Sequence, residues 1–350
     1  MSVTLAKPVA AHRPRLRRRT GSSRPAEVTR PGGGQSRAGR RGRRTCPGTY
    51  GETVGAGRLV AVLVTALLAG CAPAGAVAGG STGPQTARRA PEGSYVVGVR
   101  TLTLDPRSAR PLPVTIWYPT GTGGVAAGRF PVVIYSHGLY SRPELHAELT
   151  TRWAAAGFVV AAPAYPHTRA GAPHFTRADV RNQPADAWRL VRHLGRLDDD
   201  PGDPLAGHLD LTSIAAAGHS AGGFTTSGMF TEGHPARLRG GIVIAGGGLP
   251  GSFAGPTAPV LFVHGTADPV VPVTVGRAAY ARTPGSAAFL SVLGQGHGEY
   301  LTPGSPGFAA VLATTTDFLR WTLYGDRTAG ARLPTDGRTP GTRYESRPPT

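Results

Sequence analysis

The chain has 350 residues, with 38 Lys and Arg against 20 Asp and Glu and a formal net charge of +18. That length is ample for one large domain with a full core. The charge is lopsided: residues 1–58 hold 14 of the basic residues and only Glu27 and Glu52 as acids, so most of the excess belongs to a leader. The leader has a single aromatic residue, Tyr50, no aromatic interleaving of its basic residues and no recognition motif, which argues against nucleic acid as a partner.

In chain order, residues 1–53 are rich in Arg, Gly, Ser and Pro without periodicity and are expected to be disordered. Signal n-regions are short, so translation is expected to start near Val54. Residues 59–69 form an apolar run of eleven, too short to span a bilayer and of the right length for a signal-peptide core, with Arg58 as its positive flank. It ends in Leu68-Ala69-Gly70-Cys71. This resembles the bacterial lipoprotein signal, and the resemblance implies a lipidated Cys71 at the mature N-terminus, anchoring the protein outside the cytoplasmic membrane. A secreted product of a conventional signal peptide is the alternative, and Arg43-Arg44 leaves a twin-arginine signal as a weaker one. The chain has two cysteines, Cys46 and Cys71, so residues after 71 cannot form a disulfide among themselves. The domains expected are a signal at 54–70, a small-residue tether at 71–92, a catalytic domain at 93–325 and a loose polar tail at 326–350.

From 95 the pattern changes. Residues 95–104 and 112–118 alternate and are β-branched, as in a hairpin. Residues 131–136, 158–162, 211–217, 241–245, 259–264 and 287–293 are short apolar runs of the kind a sheet buries on both faces. Between them, helical periodicity covers 143–156, 179–197 (with Pro184 as a possible kink), 221–230, 273–282 and 308–324. Strands alternating with helices predict an α/β fold: a mostly parallel sheet of about eight strands with helices on both faces.

The chemistry centres on Gly218-His219-Ser220-Ala221-Gly222, where a buried run turns sharply into a small-residue helix. That is the G-x-S-x-G nucleophile elbow, which lifts a serine above the sheet. In so Gly-rich a chain the pattern alone is weak, and its partners must carry it. A nucleophilic serine needs a base, an orienting acid and an oxyanion hole. Asp268 follows the run ending at His264, and His297 follows the last strand on a Gly-rich loop, which gives the order Ser, Asp, His. The amide of Ala221 and that of Leu139, with Tyr140 next, are the oxyanion candidates. His219 is expected to pack beneath the elbow, His264 and His234 compete weakly with His297, and His167 and His174 read as loop residues. The acids at 198–203 lack the spacing of a Ca²⁺ loop. No cofactor or metal is expected.

With these residues, 93–325 resembles the α/β-hydrolase superfamily. Residues 110–119 (RPLPVTIWYP), 135–139 (YSHGL) and 218–223 (GHSAGG) are similar to bacterial platelet-activating-factor acetylhydrolase, dienelactone-hydrolase-like and cutinase-like proteins. The resemblance implies hydrolysis of small-molecule or lipid esters by Ser220, Asp268 and His297 through an acyl-enzyme, with Leu139 and Ala221 as oxyanion donors. Departures exist: dienelactone hydrolases use cysteine, and cutinase-like polyester hydrolases carry a tryptophan where this chain has Gly246-Gly247-Gly248-Leu249. An acyltransferase, an amide hydrolase, a polyester hydrolase and a non-catalytic surface lipoprotein remain alternatives.

Overall fold

A computed structural model describes residues 90–348. Cys71, the signal segment and all but the last three residues of the tether lie outside the described residues.

Ten strands form one mixed sheet. They are β1 (Val96–Leu104), β2 (Leu112–Gly121), β3 (Gly124–Val125), β4 (Phe130–Ser136), β5 (Val159–Pro163), β6 (Leu209–His219), β7 (Leu238–Ile244), β8 (Val260–Gly265), β9 (Ala287–Val292) and β10 (Thr342–Arg347). Their order is β1-β2-β5-β4-β6-β7-β8-β9-β10, with the short β3 paired to β2. The six strands from β5 to β9 run parallel, and antiparallel pairs close both edges. The expectation of about eight, mostly parallel strands holds for this centre and misses the small β3 and the terminal β10.

Period-two alternation divides the core. Val132, Ile134, Ile214, Ala216, Val243 and Phe262 face one side, where they meet Leu190 and Leu194 of α2 (Gln183–Asp199). Val133, Tyr135, Ala215, Ala217, Ile244 and Val263 face the other, where they meet Trp153 of α1 (Ala147–Ala155) and Val311 and Phe318 of α5 (Phe308–Leu319). The remaining helices are α3 (Ala221–Gly228), α4 (Val273–Arg282) and α6 (Arg327–Asp336). Pro184 does not kink a helix. It stands in the first turn of α2, where its missing N–H has no helical partner to lose. On either side of it, Asp179 and Asp186 present buried carboxylates that Arg110 from the β1–β2 turn binds together, tying the hairpin to the start of α2.

The tail expected to be loose over 326–350 is instead built into the fold. Asp326 caps α6 by accepting from the amides of Thr328 and Ala329. Arg332 forks onto Asp317 of α5 at 2.6 and 2.8 Å. β10 then pairs with β9 from Thr342↔Val292 to Arg347↔Ala287 and buries Tyr344. Thr342 and Tyr344 face inward and alternate with polar residues, a strand pattern masked by a Pro- and Arg-rich composition.

Candidate active site

The site stands at the carboxyl ends of the parallel strands, and strand register decides what meets there. Ser136 of β4 pairs with Gly218 of β6, so the turn after β4 lies beside the turn after β6. Gly265 of β8 pairs with Val292 of β9, so the loops carrying Asp268 and His297 also run side by side. Contact is tight: a Cβ on Gly265 would lie 2.1 Å from the carbonyl oxygen of Gly296.

Ser220 is the sharp turn itself, with φ 57° and ψ −121°, a strained conformation for a residue with a Cβ. Main-chain bonds at both sides hold it: its amide donates to Ile244 O at 2.9 Å, and its carbonyl accepts from Gly223 at 2.8 Å. The flanking glycines are required by crowding rather than by their own dihedrals. A Cβ on Gly218 would stand 2.3 Å from Gly222 O, and one on Gly222 would strike Ser136 O.

The three residues separated by the sequence meet in space. His297 Nδ1 is 2.7 Å from Asp268 Oδ2, and His297 Nε2 is 2.8 Å from Ser220 Oγ. A carboxylate only accepts, so Nδ1 carries the proton, and the bare Nε2 accepts from the serine hydroxyl. Burial opposes the Asp268 charge. The bond from His297 and the Val271 and Val270 amides outweigh it and hold the carboxyl below the ordinary range. His264 Nε2 donates to Val271 O at 2.8 Å and stands 3.4 Å from Asp268 Oδ2, so it packs behind the acid and does not reach the serine. His234 lies at the far end of α3, its Nδ1 beside Pro235 O.

Of the two oxyanion candidates from the first loop, Tyr140 is engaged: its amide donates to Thr168 O at 2.8 Å. Among the described residues, the amides of Leu139 and Ala221 have no protein acceptor. The turn before Leu139 is pinned by His137, whose Nε2 accepts the Tyr165 amide at 3.1 Å while Nδ1 donates to Gly138 O at 2.7 Å. Gly138 lies against the elbow, since a Cβ there would be 3.1 Å from Ser220 Cβ. His167 and His174 belong to a neighbouring loop, with His167 Nδ1 bonded to His174 O at 3.1 Å.

Sequence reasoning named Tyr140 only for its amide and His219 only as packing beneath the elbow; it missed the exposed Tyr140 ring stacked on Phe175 at 3.8 Å and the buried cluster that His219 forms with Tyr135 and His146 behind the site. Nothing in the chain's local pattern brings residues 135, 146 and 219 together; only the sheet order does. No group of three potential ligands that could hold a metal ion occurs among the described residues.

Two family models match the chain. The one described as platelet-activating factor acetylhydrolase, isoform II, matches residues 122–199, and the one described as TAP-like protein matches 249–321. The sheet order, the elbow and these two partial matches agree on one architecture. The fold is that of an α/β-hydrolase. The first match covers the Leu139 turn of the hydrolase and the second covers Asp268 and His297, while Ser220 falls between them. No curated protein matches the chain.

Proposed function

We propose that the hydrolase cleaves carboxylic esters, with Ser220 as nucleophile, His297 as base and acid, and Asp268 as the orienting anion. The single observation that carries this reading is the unbroken hydrogen-bonded run from Asp268 through His297 to Ser220 Oγ. His297 Nε2 takes the hydroxyl proton as Oγ attacks the ester carbonyl. The Leu139 and Ala221 amides receive the oxyanion, each worth about 3 kcal/mol in sites of this kind. The tetrahedral adduct expels the alcohol, which takes the proton from His297 and leaves an acyl-serine. Water, deprotonated by the same imidazole, attacks the acyl group and releases the acid. Tyr140 and Val270, both exposed, give the site an apolar rim for the substrate's carbon chain.

A p-nitrophenyl acetate assay and labelling by a fluorophosphonate test the reading. Saturable turnover that disappears in Ser220→Ala is expected; equal turnover in that variant overturns it.

Anchoring through a lipidated Cys71 outside the cytoplasmic membrane belongs to the same proposal and rests on Leu68-Ala69-Gly70-Cys71 after the apolar run. Stable anchoring takes two or more acyl chains. Among the described residues no helix is long and apolar enough to cross a membrane. Wild-type protein is expected in the membrane fraction and labelled by palmitate. Unchanged fractionation of Cys71→Ser rejects the anchor.

A further inference from the structure

We propose that His219, the residue between Gly218 and Ser220, is a positioning residue that holds the main chain of His297 through an uncharged N–H donor and is itself braced by His146 and Tyr135. The inference rests on the serine-hydrolase reading above.

His297 sits on a loop, and its two side-chain bonds orient the ring only if the backbone beneath it is held. Among the described residues no backbone–backbone hydrogen bond ties His297. Its carbonyl oxygen instead accepts from His219 Nε2. The two rings also pack, with centroids 4.8 Å apart and planes inclined by 52°. His219 therefore grips the same residue at both its carbonyl and its ring, from the strand end that also delivers Ser220. One short segment thus sets both partners of the proton transfer.

The donor is neutral. A carbonyl only accepts, so Nε2 carries the hydrogen. Burial of the ring lowers its pKa to about 4, chiefly by desolvation. A charged group at this place would oppose the imidazolium that forms on His297 during attack. A buried imidazole supplies the N–H without the charge.

The brace continues inward. The His146 ring meets that of His219 edge to face, with centroids 4.9 Å apart and planes at 83°. Tyr135 Oη lies 2.6 Å from His146 Nδ1. Burial raises the pKa of the Tyr135 hydroxyl, so it stays protonated and donates to that nitrogen. The chain joins β4, the turn before α1, the end of β6 and the loop after β9. Gly298 gives independent support: a Cβ there would stand 2.8 Å from His219 Nε2. The residue after His297 must lack a side chain for His219 to reach the carbonyl.

The test compares His219→Phe, which keeps a ring and loses the donor, with His219→Gln, which keeps an uncharged N–H. Gly298→Ala is a third variant that disturbs the contact from the other side. The readouts are kcat and KM for p-nitrophenyl acetate, the fluorophosphonate labelling rate, and the thermal midpoint. Misplacement by about an ångström costs up to about a hundredfold in rate. His219→Phe and Gly298→Ala are therefore expected to lose roughly ten- to a hundredfold in kcat and labelling, with KM within about twofold. His219→Gln is expected to recover most of the loss at a thermal midpoint no higher than that of the Phe variant. Wild-type kcat in His219→Phe, or equal losses in Phe and Gln, overturns the inference. Absence of turnover and labelling in the wild type overturns the serine-hydrolase reading beneath it, a distinct result.

Discussion

Gly222 and Ser136 stand so close that a Cβ on Gly222 would lie 1.9 Å from the Ser136 carbonyl oxygen. The first turn of α3 therefore rests directly on the end of β4, and this contact sets the distance between the Ser220 elbow and the Leu139 turn. A methyl group cannot be absorbed by a rotamer change, because its neighbour is backbone. Gly222→Ala is expected to cost about 3 kcal/mol or more, to lower the thermal midpoint by several degrees, and to remove fluorophosphonate labelling. Gly93→Ala, where a Cβ meets nothing within 4 Å, is the matched control and should change neither.

Asp268 does two jobs with two oxygens. Oδ1 accepts the amides of Val270 and Val271 at 2.8 and 2.9 Å, and Oδ2 faces His297. Asn can keep the first pair of bonds through its carbonyl while presenting an NH₂ to His297. The imidazole must then turn an acceptor nitrogen toward the amide, which leaves its N–H facing Ser220. Asp268→Asn is expected to lower kcat by about 10⁴ while the thermal midpoint moves by only a few degrees. Both are read from the same preparation, and a kcat within tenfold of wild type would count against the assigned tautomer.

These two cases mark what the chain discloses on its face. The order Ser220, Asp268, His297 is legible because each follows a buried run and precedes a turn, and strand ends are the one part of a parallel sheet where side chains converge. The choice between Leu139 and Tyr140 is not legible. It depends on Thr168 accepting the Tyr140 amide, a contact made by a loop 28 residues away. The Tyr135–His146–His219 cluster is hidden for the same reason, since it crosses three elements. β10 is hidden differently: its two inward residues sit in a stretch whose Pro, Gly and Arg content reads as a tail, and only the open edge of β9 recruits it.

The buried histidines give stability a defined pH dependence. Desolvation lowers His137, His146 and His219 from 6.5 to about 4, 3 and 4, with the neighbouring His219 and His137 adding to the effect at His146. In the unfolded chain all three return to about 6.5. Between those limits the unfolded state binds more protons, so stability rises with pH. The contribution is fully present above about pH 6.5 and is lost as pH falls toward 4. Urea unfolding at pH 7.5, 6.5, 5.5 and 4.5 should show a plateau followed by a steep decline. His264, also lowered by burial, acts in the same direction. A free energy that stays level down to pH 4.5 would contradict the burial of these rings.

β10 is the element whose removal should be most damaging relative to its apparent unimportance. It covers the edge of β9, and Leu293, at the start of the loop that leads to His297, donates its amide to Gly341 O at 2.8 Å. Tyr344 is buried in the same cluster as Leu290 of β9 and Leu333 of α6. Ending the chain at Gly325 would expose the row of unpaired groups on β9, a template for pairing with other chains. That truncation is expected to turn folded, detergent-extractable protein into aggregates. Tyr344→Ala is the milder probe, and loss of a buried aromatic ring costs about 3 kcal/mol or more in urea unfolding. Arg343→Ala, on the exposed face of the same strand, should stay within about 0.5 kcal/mol of wild type. An unaggregated, active chain ending at Gly325 would show that the strand is dispensable; aggregation with a destabilised Tyr344→Ala would place the closing edge of the sheet at β10.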